Sequence, residues 1–102
     1  MNVMDESIKM WATQRGLHNA DPFKQMLKVG EEFGELCQAM NKGMDDALIQ
    51  EEIGDIYITL VILCLQKRFD IDKCIKLAYQ TIRDRKGELR NGIYVKEEDL
   101  HD

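Results

Sequence analysis

The sequence predicts an all-α fold, and three observations lead there. Its 102 residues contain one proline and seven glycines, too few to punctuate a β-sandwich or barrel. Leu, Ile, Met, Glu, Lys and Gln are abundant, as helices favour. Apolar residues also recur at helical spacing in four segments, each with a start or stop signal. With 44% hydrophobic and 32% charged residues the chain reads as globular, and its length suits a single domain over residues 1–102.

The first segment runs from about Met4 to Gln14, with Met4, Ile8, Trp11 and Ala12 on one face and Gly16 as its stop. The second starts where Asp21 caps and Pro22 takes the first helical position, where its missing N–H costs nothing. Its apolar stripe is Phe23, Met26, Leu27, Gly30, Phe33, Cys37 and Met40, and Asn41 to Gly43 end it. Asp45 or Asp46 caps the third, which extends to about Lys67 and is apolar on nearly every side from Ile53 onward. A helix of that kind must be covered all round, so a homo-oligomer, dimer or tetramer, is expected to cover what three other helices leave open. Asp70 or Asp72 begins the fourth, with Ile71, Cys74, Ile75, Ala78, Ile82 and Leu89 on its face; the tail from Asn91, residues 91–102, is expected to be irregular. The whole reads as a four-helix bundle-like domain around a central antiparallel helix hairpin.

A formal charge of −5 argues against a nucleic-acid surface, which needs a basic face. The longest apolar run, Ile56 to Leu65, is too short to span a bilayer, so no membrane partner is expected. The N-terminal MNVMDESIKM shows no secretory pattern. Cys37, Cys64 and Cys74 are odd in number, lack CxxC spacing and lie in apolar helical stretches, which reads as buried free thiols in a reducing cytoplasm.

Two acidic runs carry the chemistry, EEFGE at Glu31 to Glu35 and EEIGD at Glu51 to Asp55. Residues three apart share a helix face, so Glu32 pairs with Glu35 and Glu52 with Asp55. A short connection near Gly43 favours an antiparallel hairpin, in which Glu32 faces Asp55 and Glu35 faces Glu52, both about 14 Å from the loop. Gly30, Gly34 and Gly54 in helix interiors each cost about 1 kcal/mol against Ala, which close helix approach or a ligand against the backbone would offset. Four converging carboxylates repel one another, and a hard divalent cation relieves the conflict; oxygen-only ligands select Mg²⁺ or Mn²⁺ over zinc. The alternative is a solvated acidic face with its carboxylates paired to lysines. A di-iron bundle needs Glu-x-x-His motifs, and the single match, Glu98 to His101, lies in the tail. His18 sits in a loop as a surface or capping residue, and no P-loop, zinc-type Cys/His spacing or nucleophile elbow is present.

Glu31, Glu32 and Glu35 followed by Glu52 and Asp55, in the pattern E-E-x-x-E then E-x-x-D, resemble the signature of the all-α nucleoside triphosphate pyrophosphohydrolases, particularly the single-domain MazG-like proteins. The resemblance extends from RGLHNADPFKQMLKVGEEFGEL to RKGELRNGIYVKEED. It implies Mg²⁺-dependent hydrolysis of canonical or modified (deoxy)nucleoside triphosphates between the α and β phosphates, giving the monophosphate and pyrophosphate. It also implies Glu32, Glu35, Glu52 and Asp55 as metal ligands, and Glu31 as the carboxylate that orients or deprotonates the attacking water. Lys86, Arg90 and Asn91 match a segment that reaches the substrate, from the same or a neighbouring subunit; read alone, the basic residues Lys67, Arg83, Arg85, Lys86 and Arg90 also suit a helix C-terminus. Trp11 either stacks on a base or belongs to the core. A phosphoribosyl-ATP or dUTP-type enzyme of the same fold, and a non-catalytic helical module with structural metal, are the competing readings.

Overall fold

The computed structural model describes residues 2–100, which fall into two compact units divided between Ile71 and Asp72. Four α-helices hold most of the described residues, so the helical expectation stands.

In the first unit, α1 spans Val3–Gln14, a 3₁₀ turn covers Leu17–Asn19, α2 spans Pro22–Asn41 and α3 spans Asp46–Lys67. Each start is chemically specified. Asn2, Asp21 and Asp45 cap the three helices by accepting from the backbone N–H groups of Met4, Phe23 and Leu48. Gly16 and Gly43 adopt positive φ where α1 and α2 give way to their connections.

The third helix is the central element, packing against α1, α2 and the 3₁₀ turn. Ile8 and Ala12 of α1 meet Val61 and Ile62 of α3 and Ile71 in the core, with Leu17, Tyr57, Leu60, Cys64 and Leu65 around them. Asp5 is 1% exposed and accepts a 2.7 Å hydrogen bond from the Tyr57 hydroxyl, which fastens the first turn of α1 to α3. Along the α2–α3 seam Gln25 meets Thr59, and further on the acidic runs of the two helices meet; numbers rise on one helix as they fall on the other.

The apolar stripe read for α2 is not buried by this chain. Phe23 and Leu27 are 82% and 75% exposed, and Met26, Phe33 and Met40 are exposed too, while Glu32 and Ala39 are the buried residues of α2. The seam with α3 uses a different face of the helix from the one hydrophobicity selects. The expected burial of the thiols is also corrected: Cys37, on that stripe, and Cys74 are exposed, and Cys64 is half-buried. A Cβ at Gly30, Gly34 or Gly54 would meet nothing within 4 Å among the described residues, so the space beside these glycines is open. None of the described helices is long and apolar enough to cross a membrane.

The second unit corrects the expected irregular tail. The fourth helix, α4 (Ile71–Ile82), stops before Leu89, and β1 (Gly87–Arg90) pairs antiparallel with β2 (Ile93–Lys96), followed by a 3₁₀ turn at Glu97–Asp99. The two-residue loop Asn91-Gly92 has positive φ at both positions, the geometry that matches strand twist and that Asn and Gly adopt at least cost. At Gly87 a Cβ would collide with the Val95 carbonyl and the Tyr94 ring, so the strand admits only glycine there. The Glu98 to His101 spacing ends outside the described residues.

Candidate metal centre and adjoining cleft

Helical spacing turns Glu32 inward from α2, and Glu52 and Asp55 inward from α3. One carboxylate oxygen from each lies within 4.8 Å of the others. Ligand oxygens on opposite sides of an ion held at 2.1 to 2.4 Å stand about 4.2 to 4.8 Å apart, so the spacing fits a hard divalent cation. Glu32 Oε2 and Glu52 Oε2 are buried with no hydrogen-bond partner, a condition that costs about 1–3 kcal/mol or more for a charged group. Three oxygen donors with two unmet buried oxygens fit such a cation chemically.

Glu35 and Glu31 are exposed on α2. Glu35 is not one of the three clustered residues, yet it belongs to the same field: the charge of Glu32, then loss of solvent and a hydrogen bond with Glu32, hold its carboxyl above the ordinary carboxylate range. Burial raises Glu52 likewise, followed by the charges of Asp55, Glu32 and Glu51, while a hydrogen bond from Glu35 acts in the opposite direction.

The alternative of lysine-paired carboxylates holds for one corner only. Lys28 Nζ lies 3.4 Å from Glu32 and 3.8 Å from Glu31, and its pKa is raised, first by the hydrogen bond to Glu32. Among the described residues no ion pair reaches Glu35, Glu52 or Asp55. Sequence reading passed over Lys28, although its i+3 and i+4 spacing to Glu31 and Glu32 announces the pairing.

A cleft of about 540 Å³ opens beside the carboxylates and shares Glu32 and Asp55 with them. Trp11, Leu17, Ile58 and Ile62 supply apolar walls, and Gln25, Thr59 and Gln66 supply polar groups. Trp11 is 47% exposed, a wall residue and not a core one, and the Arg15 guanidinium lies 4.2 Å from its ring centroid. Gln25, Thr59 and Gln66 had no sequence signal, because only the meeting of α2, α3 and the Leu17–Asn19 turn makes them neighbours.

Lys86, Arg90 and Asn91 belong to the second unit. Lys86 adjoins β1, and its carbonyl accepts from Glu97 N at 2.7 Å. Arg90 ends β1 with its guanidinium 2.6 Å from Glu88 Oε1, and Asn91 forms the turn at φ 54°. His18 lies in the 3₁₀ turn with Nε2 3.2 Å from the Asn19 amide nitrogen.

A family model described as the MazG nucleotide pyrophosphohydrolase domain matches residues 22–89. The chain is also similar to an uncharacterized 18.2 kDa protein in the rep-hol intergenic region of Haemophilus phage HP1 (strain HP1c1), with 41% identity over 66 residues. That match covers 64% of this chain and 40% of the phage protein, so the chain spans well under two thirds of that relative's length. No solved structure matches the chain.

Proposed function

Because the chain belongs to the MazG nucleotide pyrophosphohydrolase family, we propose that it hydrolyses (deoxy)nucleoside triphosphates between the α and β phosphates, yielding the monophosphate and pyrophosphate. The observation that carries this is the shared wall: Glu32 and Asp55 belong both to the carboxylate cluster and to the neighbouring cleft. A cation site that opens onto an apolar cleft can hold a phosphate chain at one end and a base at the other.

Glu32, Glu52 and Asp55, with Glu35 completing the set, would hold the divalent cation, Mg²⁺ or Mn²⁺ in its place. When bound, that cation supplies charge neutralisation for the polyphosphate and acidifies water. The chain's own carboxylates would otherwise repel a triphosphate. Glu31 is exposed beside the cluster and is kept near it by Lys28, so its carboxylate can take the proton of the attacking water. The water's oxygen bonds to phosphorus as pyrophosphate leaves. Lys86, Arg90 and Asn91 are proposed as phosphate contacts, from the same or a neighbouring copy. Trp11, Leu17, Ile58 and Ile62 would enclose the base. The uncovered apolar residues of α2 support a homo-oligomer, dimer or tetramer.

Incubation with Mg²⁺ and a panel of nucleoside triphosphates, dUTP and phosphoribosyl-ATP tests the reading. Pyrophosphate and the monophosphate should appear in equal amounts, and activity confined to dUTP or phosphoribosyl-ATP would mark a specialist. Release of orthophosphate with a diphosphate, or no release at all, would overturn the proposal and leave the non-catalytic module.

A further inference from the structure

The two glutamines of the cleft have their amide nitrogens committed to the backbone. Gln25 Nε2 donates to the Thr59 carbonyl at 3.0 Å, and Gln66 Nε2 donates to the Leu17 carbonyl at 3.0 Å. Flipping either amide would set oxygen against oxygen, so each is held with its Oε1 as the remaining group. Among the described residues neither oxygen accepts a hydrogen bond, and Gln66 Oε1 is buried with no partner.

The rest of the lining does little to balance these acceptors. The Thr59 hydroxyl is spent on the Ile56 carbonyl at 2.7 Å, Lys28 is held by Glu31 and Glu32, and Lys24 is exposed to solvent. The placement suits a base as well. Thr59, whose carbonyl anchors Gln25, and Gln66 follow Asp55 along α3, and Asp55 to Gln66 spans about 16 Å of helix axis. A nucleotide with its phosphates at the carboxylates therefore extends its base toward the amides.

We propose that Gln25 and Gln66 make the cleft selective for nucleotides whose base carries an exocyclic amino group, as adenine and cytosine do, over their keto counterparts hypoxanthine and uracil. The proposal rests on the reading of this cleft as the base subsite. An amino N–H gives an anchored oxygen the donor it lacks. A keto oxygen in the same position brings two acceptors together with no proton between them, and both lose their water. Gln25 Oε1 is the acceptor nearer the carboxylates. Gln66 Oε1 is buried in the cleft wall.

The test pairs nucleotides that differ in this group and in the adjoining ring nitrogen, which accepts in the amino bases and carries a proton in the keto bases. Calorimetric binding of AMP against IMP, and of CMP against UMP, in the presence of Mg²⁺ reads the cleft independently of turnover, because a monophosphate carries no anhydride to hydrolyse. The amino member of at least one pair should bind roughly tenfold tighter or more, the worth of one hydrogen bond. Gln66→Met should bring that ratio close to one; Gln25→Met is the second variant should the first not fold, and it should reduce the ratio. Equal binding within both pairs, a keto preference, no binding at all, or a ratio unchanged in both variants would overturn the proposal. Selective binding with no hydrolysis of any triphosphate would uphold the selectivity while defeating the proposed reaction. Hydrolysis of ATP and ITP, and of CTP and UTP, at equal kcat/KM would do the reverse.

Discussion

The two ends of the α2–α3 seam hold polar groups of opposite character. At the acidic end, carboxylates from both helices crowd together with only Lys28 to offset them, and Glu35 and Glu52 resist ionisation as a result. At the amide end, Gln25 reaches across to α3, and nearby Gln66 reaches to the Leu17–Asn19 turn; each satisfies a backbone carbonyl. The acidic end is a cost that the fold bears, and the amide end is a fastening that helps bear it. Under the proposed reaction, in which a cation and then a polyanion would be taken up, the site would gain from this division. Its charged half would take the ion, and its neutral half would face the base.

Removing one acid gives the largest test of the contrast. Asp55→Asn or Glu52→Gln should lower turnover by roughly 100-fold or more while the helical signal persists and the metal-free melting temperature is unchanged or higher. A collapse of the fold would make these carboxylates structural and erase the distinction between the two ends.

Cation binding should show in stability as well as activity. At about 100 times its dissociation constant, Mg²⁺ should stabilise the protein by about 2.7 kcal/mol, a rise of at least several degrees in melting temperature. Glu52→Gln should abolish that rise, and an equal rise in the variant would locate the cation elsewhere.

Acidity sharpens the comparison further. Glu35 and Glu52 have pKa values above their unfolded values. Their contribution to stability is therefore fully present below the ordinary carboxylate pKa and is lost as pH rises through the raised one. Metal-free protein should thus be relatively more stable near pH 5 than at pH 7, with a smaller gain in Glu35→Gln. With Mg²⁺ bound the trend should invert, since protons then compete with the ion.

The smallest effect belongs to the amide end. Gln25→Met leaves the Thr59 carbonyl without its side-chain donor, which should cost about 1 kcal/mol in chemical denaturation at any pH near neutral, with or without metal.

Caps, helix periods and acidic spacing were legible in the sequence because each is a local rule. Asp21 before Pro22, Gly16 after α1, and Glu32 and Glu35 three apart act over a single turn of helix. The Asn91-Gly92 hairpin was equally local, and it went unread beneath a loss of helical periodicity. The stripe from Phe23 to Met40 misled for a different reason. Hydrophobicity shows that a face must be covered, but not by what, and this chain buries Glu32 and Ala39 from α2 instead.

The sequence by itself determined the four helices, their limits to within a few residues except at the end of α4, and the acidic positions that mark the family. Only the tertiary structure decided which carboxylates converge, and that Trp11, Gln25 and Gln66 share a cleft. The reason is separation along the chain. A capping bond or an i,i+3 pair is set by backbone geometry over a few residues, whereas the hydrogen bond from Gln66 to Leu17 joins residues 49 apart and exists only once α1 and α3 have packed.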